Sequence, residues 1–171
     1  KINELFKNQK VNEIFKKNIE DKDRLANMFL SSIKNLETLK KIITNQLELF
    51  FKNYYNPNYS LFKNWPKTLN LNGWYVKLLK EGHQESHIHP DGWVSGVIYL
   101  KVIENPNEFE GAIELSQHGY NYKVISQNYP KIIHQPAIGD FILFPSSLFH
   151  KTIPVKQNVE RCVIAFDLLP S

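Results

Sequence analysis

The sequence has few of the features that would tie a chain to an extracellular or membrane setting. Cys162 is the single cysteine among 171 residues, which excludes an internal disulfide and predicts a reducing, cytoplasmic compartment. No apolar run reaches the ~18–20 residues that a bilayer-spanning helix requires, so no membrane is expected as a partner. The start, Lys1-Ile2-Asn3-Glu4, has neither a signal-peptide core nor an initiator methionine. We therefore expect the sequence to be a piece of a longer chain.

Arginine is also scarce, and this changes how the net charge of +4 is interpreted. Most lysines fall in the first half of the chain, at helical spacing among Glu and Asp, so nucleic acid is not predicted as the main partner. Arg24 and Arg161 are the only arginines among 21 basic residues. The planar guanidinium binds a carboxylate through two hydrogen bonds, which an ammonium group cannot do. Arg161 is therefore a candidate anion-binding residue.

The apolar residues that are present predict two kinds of structure. Residues 1–56 carry apolar side chains at spacings of three and four, which predicts helices. The three stripes are Leu5, Phe6, Val11, Ile14 and Phe15; Leu25, Met28, Phe29 and Ile33; and Leu36, Leu39, Ile42, Ile43, Leu47, Phe50 and Phe51. The turn Asn56-Pro57-Asn58 ends this pattern.

The rest of the chain is typical of β-structure with short turns. Candidate strands are 73–80, 94–103, 111–116, 131–136, 140–145, 149–153 and 160–168. Many short strands separated by Gly, Pro and Asn predict a sandwich or jelly roll. We expect N-terminal helices over 1–56, packed against a β core over 57–171 in a single structural unit.

Histidines concentrate where the β region begins. His87, His89 and Asp91 are spaced by two, so on an extended strand they share one face. Two imidazoles and one carboxylate with open positions are the ligand pattern of non-haem Fe(II) oxygenases. His150 follows a predicted buried strand, which could bring a distant ligand to the first pair.

The identity of the third metal ligand stays open at this point. Pro90-Asp91-Gly92 is also a turn sequence in which Asp bonds to the local backbone. We favour His87, His89 and His150 as ligands, with Asp91 in place of His87 as the alternative. His83, His118 and His134 lack comparable surroundings and are predicted to be surface or structural residues.

Arg161 follows His150 by one predicted hairpin, on an otherwise apolar strand. A buried guanidinium needs an anionic partner or a route to solvent. A dicarboxylate lying between the metal and Arg161 would provide that partner, and a salt bridge to Asp or Glu is the alternative.

These motifs resemble those of the 2-oxoglutarate/Fe(II)-dependent oxygenase superfamily, and specifically a subgroup often attached to tetratricopeptide repeats. The resemblance rests on residues 87–100 (HIHPDGWVSGVIYL) and 139–150 (GDFILFPSSLFH), and it continues through Arg161 to 164–167 (IAFD). It covers roughly residues 64–171. The length and specificity of these motifs make a chance similarity an inadequate explanation.

The resemblance implies a double-stranded β-helix (a jelly roll of cupin type). The predicted fold class is therefore mainly β, with the N-terminal helical segment packed against this core. It implies Fe(II) and 2-oxoglutarate as cofactors, with Arg161 holding the far carboxylate. Two departures stand out: His-x-His-Pro-Asp replaces the usual His-x-Asp, and Val163 stands where many relatives carry a hydroxyl. Tyr99, Ser95, Thr152 or Trp74 could take that hydroxyl's place, and Tyr99 is predicted beside Arg161 as a cofactor-binding residue.

The predicted function is hydroxylation of an unidentified small-molecule or peptide/protein substrate, with 2-oxoglutarate and O₂ converted to succinate and CO₂. The alternative is a cupin-like metal-binding module without 2-oxoglutarate chemistry, either a three-His dioxygenase or a small-ligand binder. Arg161 distinguishes the two, because a three-His dioxygenase needs no anchor for a cosubstrate carboxylate.

Overall fold

The computed structural model describes residues 34–125 and 128–170. The two helical stripes predicted within residues 1–33 lie outside the described residues. The helices are α1 (Lys34–Tyr54) and α2 (Ser60–Lys63), and the strands are β1 (Asn70–Leu78), β2 (Gln84–His87), β3 (Val94–Lys101), β4 (Ile113–Ser116), β5 (Lys131–His134), β6 (Phe141–Pro145), β7 (Phe149–Thr152) and β8 (Arg161–Leu169). Neither described helix has the length and apolar character needed to cross a membrane.

The strands form two antiparallel four-stranded sheets, ordered β1-β8-β3-β6 and β2-β7-β4-β5. Successive strands alternate between the sheets through most of the chain, which is the winding of a double-stranded β-helix. The predicted fold class is therefore confirmed. All seven predicted strands are present, whereas β2 was missed because Gln84-Glu85-Ser86-His87 contains no apolar residue.

Strand β8 lies between β1 and β3 and is buried along almost its whole length. Its even-numbered side chains Cys162, Ile164, Phe166 and Leu168 belong to one apolar core with the α1 residues Leu36, Leu39, Ile43 and Leu47. The spacing of three and four places those α1 side chains on one helix face, as the third predicted stripe requires. Helix α1 therefore covers the outer face of this sheet. The predicted division of the chain at residue 57 stays a prediction.

The opposite face of β8 points between the two sheets. Successive strand residues alternate in direction, so Arg161, Val163, Ala165 and Asp167 share this inner face. In the β3–β8 pairing, Asp167 lies opposite Ser95, and Val163 lies opposite Tyr99. The polar residues of these two strands thus meet inside the β-helix.

Candidate functional site

Three histidines converge at one end of the β-helix. His87 at the end of β2 pairs directly with His150 on β7, and His89 follows two residues later along the chain. One ring nitrogen of each lies within 4.8 Å of those of the other two. In the part of the chain that the structure describes, this is the group of histidine, cysteine and acidic residues that could hold a metal ion.

In each of the three rings, Nδ1 makes a hydrogen bond. His87 Nδ1 lies 2.6 Å from the carbonyl oxygen of Glu85, and His150 Nδ1 lies 3.1 Å from that of Leu148. His89 Nδ1 lies 2.6 Å from a carboxylate oxygen of Asp167. Because these oxygens are acceptors, each Nδ1 carries the proton and each Nε2 presents a lone pair. Such outer hydrogen bonds are typical of metal-binding histidines.

The electrostatics also suit metal binding. Burial, together with the charges that His87 and His89 would carry when protonated, lowers the pKa of His150 to about 3. His150 is therefore neutral at physiological pH, as a metal ligand must be. An exposed histidine would instead be partly protonated below pH ~6.5.

Asp91, the alternative ligand, does not join this group. It is exposed in the turn after His89, where the Gly92 N–H donates a hydrogen bond of 3.1 Å to the His89 carbonyl. The turn interpretation of Pro90-Asp91-Gly92 therefore describes this segment. The assignment of His87, His89 and His150 as ligands is supported by geometry and stays a prediction.

The remaining histidines lie where the sequence placed them. His83 is exposed and contacts Glu85 at 2.9 Å. His118 Nε2 contacts the carbonyl of Tyr122 at 3.1 Å, and His134 pairs with Asp140 at 2.8 Å. These contacts hold loops and turns and leave no role at the cluster.

Arg161 is 2% exposed and its guanidinium is only partly satisfied. Its Nε donates a hydrogen bond of 2.8 Å to the Gly111 carbonyl, and its Cζ lies 5.1 Å from the centre of the Tyr99 ring. Among the described residues, the buried side-chain atoms without a hydrogen bond of good geometry are Arg161 Nη1 and the Tyr99 hydroxyl, and these two groups lie close enough for each to shift the other's pKa. No Asp or Glu pairs with Arg161 in the described residues, so the salt-bridge alternative receives no support.

A narrow cleft connects Arg161 with the histidine cluster. Its lining includes all three histidines and Arg161, together with Trp74, Ser95, Val97, Phe144, Thr152 and Val163. Imidazole nitrogens and an unpartnered guanidinium nitrogen in the same cleft match a ligand that both chelates a metal and carries an anionic group. Burial lowers the pKa of Arg161 from its usual value, which is the electrostatic cost that such an anion would relieve. The residues present therefore fit both Fe(II) and 2-oxoglutarate.

Asp167 is a buried polar residue at the site to which the sequence patterns assign no role. It is 7% exposed and contacts both His89 and Ser95. The sequence does indicate that Asp167 faces the site, because it lies six positions after Arg161 on the same strand and the two side chains must therefore share a face. The identity of its partners was not available, because it depends on how the neighbouring strands pair.

The fold has counterparts among solved structures. HygX from Streptomyces hygroscopicus, with nickel and 2-oxoglutarate bound, is similar with a TM-score of 0.57 at 15% identity, covering 93% of this chain and 76% of that one. A Pseudomonas putida prolyl-4-hydroxylase (TM-score 0.46, 16% identity) and a Burkholderia pseudomallei oxidoreductase of the 2OG-Fe(II) oxygenase family (0.46, 20%) each match 60% of this chain. The chain spans about half the length of these two proteins, 54% and 47% respectively.

A family model gives the more specific result. Residues 72–167, more than half of the chain, match the family described as "Putative 2OG-Fe(II) oxygenase". No curated protein matches the chain. The matched range begins in β1 and ends at Asp167, so it includes the histidine cluster, Tyr99 and Arg161. Fe(II) and 2-oxoglutarate, the predicted cofactors, are those of this family, and its members are oxidoreductases. The chain belongs to the 2-oxoglutarate/Fe(II)-dependent oxygenases.

Proposed function

We propose that this chain is a 2-oxoglutarate- and Fe(II)-dependent dioxygenase that hydroxylates a small-molecule or peptide/protein substrate. The observation that carries the proposal is that one cleft is lined both by the three clustered histidines and by Arg161, whose buried Nη1 makes no hydrogen bond. When bound, Fe(II) and 2-oxoglutarate supply the activation of O₂, with succinate and CO₂ as products. The protein supplies the binding geometry.

His87, His89 and His150 would hold the metal and leave open positions for the cosubstrate and O₂. Their Nδ1 hydrogen bonds keep the rings from rotating, so the metal position is fixed before any ligand binds.

Arg161 and Tyr99 would hold the far carboxylate of 2-oxoglutarate. The contact of Arg161 Nε with Gly111 uses one edge of the guanidinium and directs the unpartnered Nη1 toward a ligand. A buried anion there would gain a charge-assisted hydrogen bond from Arg161 and a second from the Tyr99 hydroxyl. The apolar cleft residues Val97, Phe144 and Val163 would exclude water between the two ends.

The test is cosubstrate binding and turnover by the purified chain. Anaerobic addition of 2-oxoglutarate to the Fe(II)-loaded protein should give the visible absorption of a chelated 2-oxo acid, and air should then yield succinate. Arg161→Ala should raise the Kd for 2-oxoglutarate by about 30-fold or more, because it removes the buried cationic partner. Lys151→Ala is the matched control, since this cation pairs with Glu114 at 3.1 Å and is half-exposed.

Metal binding without 2-oxoglutarate binding would overturn the proposal and favour the alternative of a cupin-like metal-binding module. The substrate itself can be sought by mass spectrometry, as a lysate component that gains one oxygen atom only when active protein and 2-oxoglutarate are both present.

A further inference from the structure

Asp167 forms a buried hydrogen-bonded network around one of the three histidines. Its Oδ1 atom lies 2.6 Å from His89 Nδ1 and 2.6 Å from Ser95 Oγ, and Ser95 Oγ lies 2.8 Å from Ser146 Oγ. The side chains of His89 and Asp167 are 16% and 10% exposed. The network therefore lies away from bulk water. Hydrogen bonds to a charged group have their largest effect in such a buried environment.

The protons of this network can be assigned from its acceptors. A carboxylate only accepts, so His89 Nδ1–H and the Ser95 hydroxyl both donate to Asp167. Ser95 has then used its one proton, and the Ser146 hydroxyl donates to Ser95. The chain of donors ends on Asp167, and the His89 ring is left with its lone pair on Nε2.

His89 differs from the other two histidines in the charge of its acceptor. The Nδ1 atoms of His87 and His150 face neutral backbone carbonyls, whereas that of His89 faces a carboxylate. Three neutral imidazoles bring no negative charge to a metal, while a two-His-one-carboxylate set brings one. In this chain the carboxylate lies one imidazole ring further out.

The surrounding backbone keeps room for this network. A Cβ atom at Gly92 would lie 2.5 Å from Ser146 Oγ and 3.3 Å from the carboxylate carbon of Asp167. The Ser146 carbonyl also accepts a hydrogen bond of 3.0 Å from the His89 N–H, so Ser146 contacts His89 through the backbone as well.

We infer that Asp167 is a positioning residue that acts through His89: it holds the ring with Nε2 toward the metal and supplies the negative charge that the ligand set lacks. This inference rests on the proposed function, because it requires a metal at the three histidines. Ser95 holds Asp167 directly, and Ser146 holds Ser95. The motifs at residues 87–100 and 139–150 each contribute one of these serines to the site.

The test uses Co(II) as the probe and Asp167→Asn as the variant. Asparagine keeps the size of the side chain and an acceptor oxygen but removes the charge, so Co(II) affinity should fall by about 10- to 100-fold. Asp140→Asn is the matched control: Asp140 pairs with His134 at 2.8 Å, which is also a carboxylate–histidine contact, and lies outside the histidine cluster. Its Co(II) affinity should stay within about twofold of the unsubstituted protein.

A spectroscopic readout separates this role from a structural one. In the Co(II)-loaded protein, the Nδ1–H protons of the ligands give shifted NMR signals that exchange with water. Asp167→Asn should move one of the three signals and leave two unchanged. If Asp167→Asn does not fold, Ser95→Ala decides, because it keeps the charge but removes one donor to Asp167. It should move the same single signal and weaken Co(II) binding by less than tenfold.

The outcomes are distinguishable. If Asp167→Asn binds Co(II) as tightly as the unsubstituted protein and shows the same three signals, the inference is wrong and the proposed function stands. If the unsubstituted protein does not bind Co(II) at all, the proposed function fails and the inference fails with it.

Discussion

Arg161 takes its direction from Gly111: the guanidinium Nε donates a hydrogen bond of 2.8 Å to the glycine carbonyl. Gly111 has a φ of +70°, a conformation that L-residues with a side chain adopt at a cost of roughly 1–2 kcal/mol. A Cβ atom there would lie 2.7 Å from Ile103 Cδ1 and 3.4 Å from Arg161 Cδ. The carbonyl that orients Arg161 is thus held by a backbone position that suits glycine.

Gly111→Ala should therefore weaken cosubstrate binding as well as stability. We expect a loss of about 1–2 kcal/mol in the free energy of unfolding and a clear rise in the Kd for 2-oxoglutarate, with Co(II) affinity unchanged. Gly139→Ala is the control, because Gly139 has a φ of +90° and nothing lies within 4 Å of a Cβ atom there. Equal effects of both variants on 2-oxoglutarate binding would contradict the role given to the Gly111 carbonyl.

Tyr99→Phe should separate binding from stability. The buried Tyr99 hydroxyl makes no hydrogen bond of good geometry within the described structure, and its polar neighbour is Arg161, so its removal should change the free energy of unfolding only slightly. The Kd for 2-oxoglutarate should rise about tenfold, since a hydrogen bond to a charged group contributes roughly 1.5 kcal/mol or more. Calorimetric titration and urea unfolding measure the two quantities.

Tyr75→Phe is the matched control for Tyr99→Phe. Tyr75 belongs to the apolar core on the α1 side of the sheet, away from the cleft. Removing the Tyr75 hydroxyl should leave 2-oxoglutarate binding unchanged. If Tyr99→Phe also binds 2-oxoglutarate normally, Tyr99 is not part of the cosubstrate site.

Gly96→Ala should destabilise the sheet through Phe166. A Cβ atom at position 96 would lie 2.1 Å from the ring atom Cζ of Phe166, so the ring would have to move within a packed core. We expect a cost of about 1–3 kcal/mol in urea unfolding. The double variant Gly96→Ala/Phe166→Leu should cost less than the sum of the single changes by about 0.5–3 kcal/mol. Strict additivity would show that the two positions do not compete for the same space.

Glu160 should give the fold a modest dependence on acid. Hydrogen bonds from Lys101 and Lys77, at 2.7 and 2.6 Å, lower the pKa of Glu160 from 4.5 to about 2. A lowered carboxyl pKa stabilises the fold above pH 4.5, and that stabilisation disappears as the pH falls from 4.5 to 2. Because Glu160 is 39% exposed, solvent screening limits the effect to about 1 kcal/mol or less.

Glu160→Gln checks this pH dependence. The unsubstituted protein should be more stable than the variant at pH 7, and the difference should shrink toward zero by pH 2 in urea unfolding. High salt should reduce it at pH 7 as well. A difference that grows on acidification would have the opposite sign and would exclude this ion pair as the cause.

The sequence predicted most of the strands and the three histidines, because both follow simple spacing rules. The strand residues 94–101 and 161–169 are mostly apolar, and the turns that bound the strands contain Gly, Pro and Asn, so the β structure could be predicted from the sequence. Strand β2 could not be predicted in this way, since it contains no apolar residue and is a strand only because it pairs with β7 in the folded chain. Local patterns carry no information about which distant strand will pair.

The same limit applies to the acidic residue at the site. Asp91 drew attention because it is next to the histidines in sequence, yet Asp167 is the carboxylate that contacts one of them. The two candidates differ by 76 positions along the chain, and only the pairing of β3 with β8 brings Asp167 into place. Proximity in sequence was therefore a poor guide to the carboxylate, although it was a good guide to the histidine pair.

Alternate residues of strand β8 serve different purposes, stability on one face and ligand binding on the other, and the two can therefore be engineered separately. The even-numbered side chains of β8 pack in the core with α1, whereas Arg161, Val163 and Ala165 line the cleft. Substitutions at even-numbered positions would therefore change the stability of the fold, and substitutions at the cleft positions would change ligand binding. Val163 and Ala165 are the uncharged odd-numbered positions that line the cleft. Selection at these two positions could reshape the cosubstrate pocket while the packing against α1 stays intact.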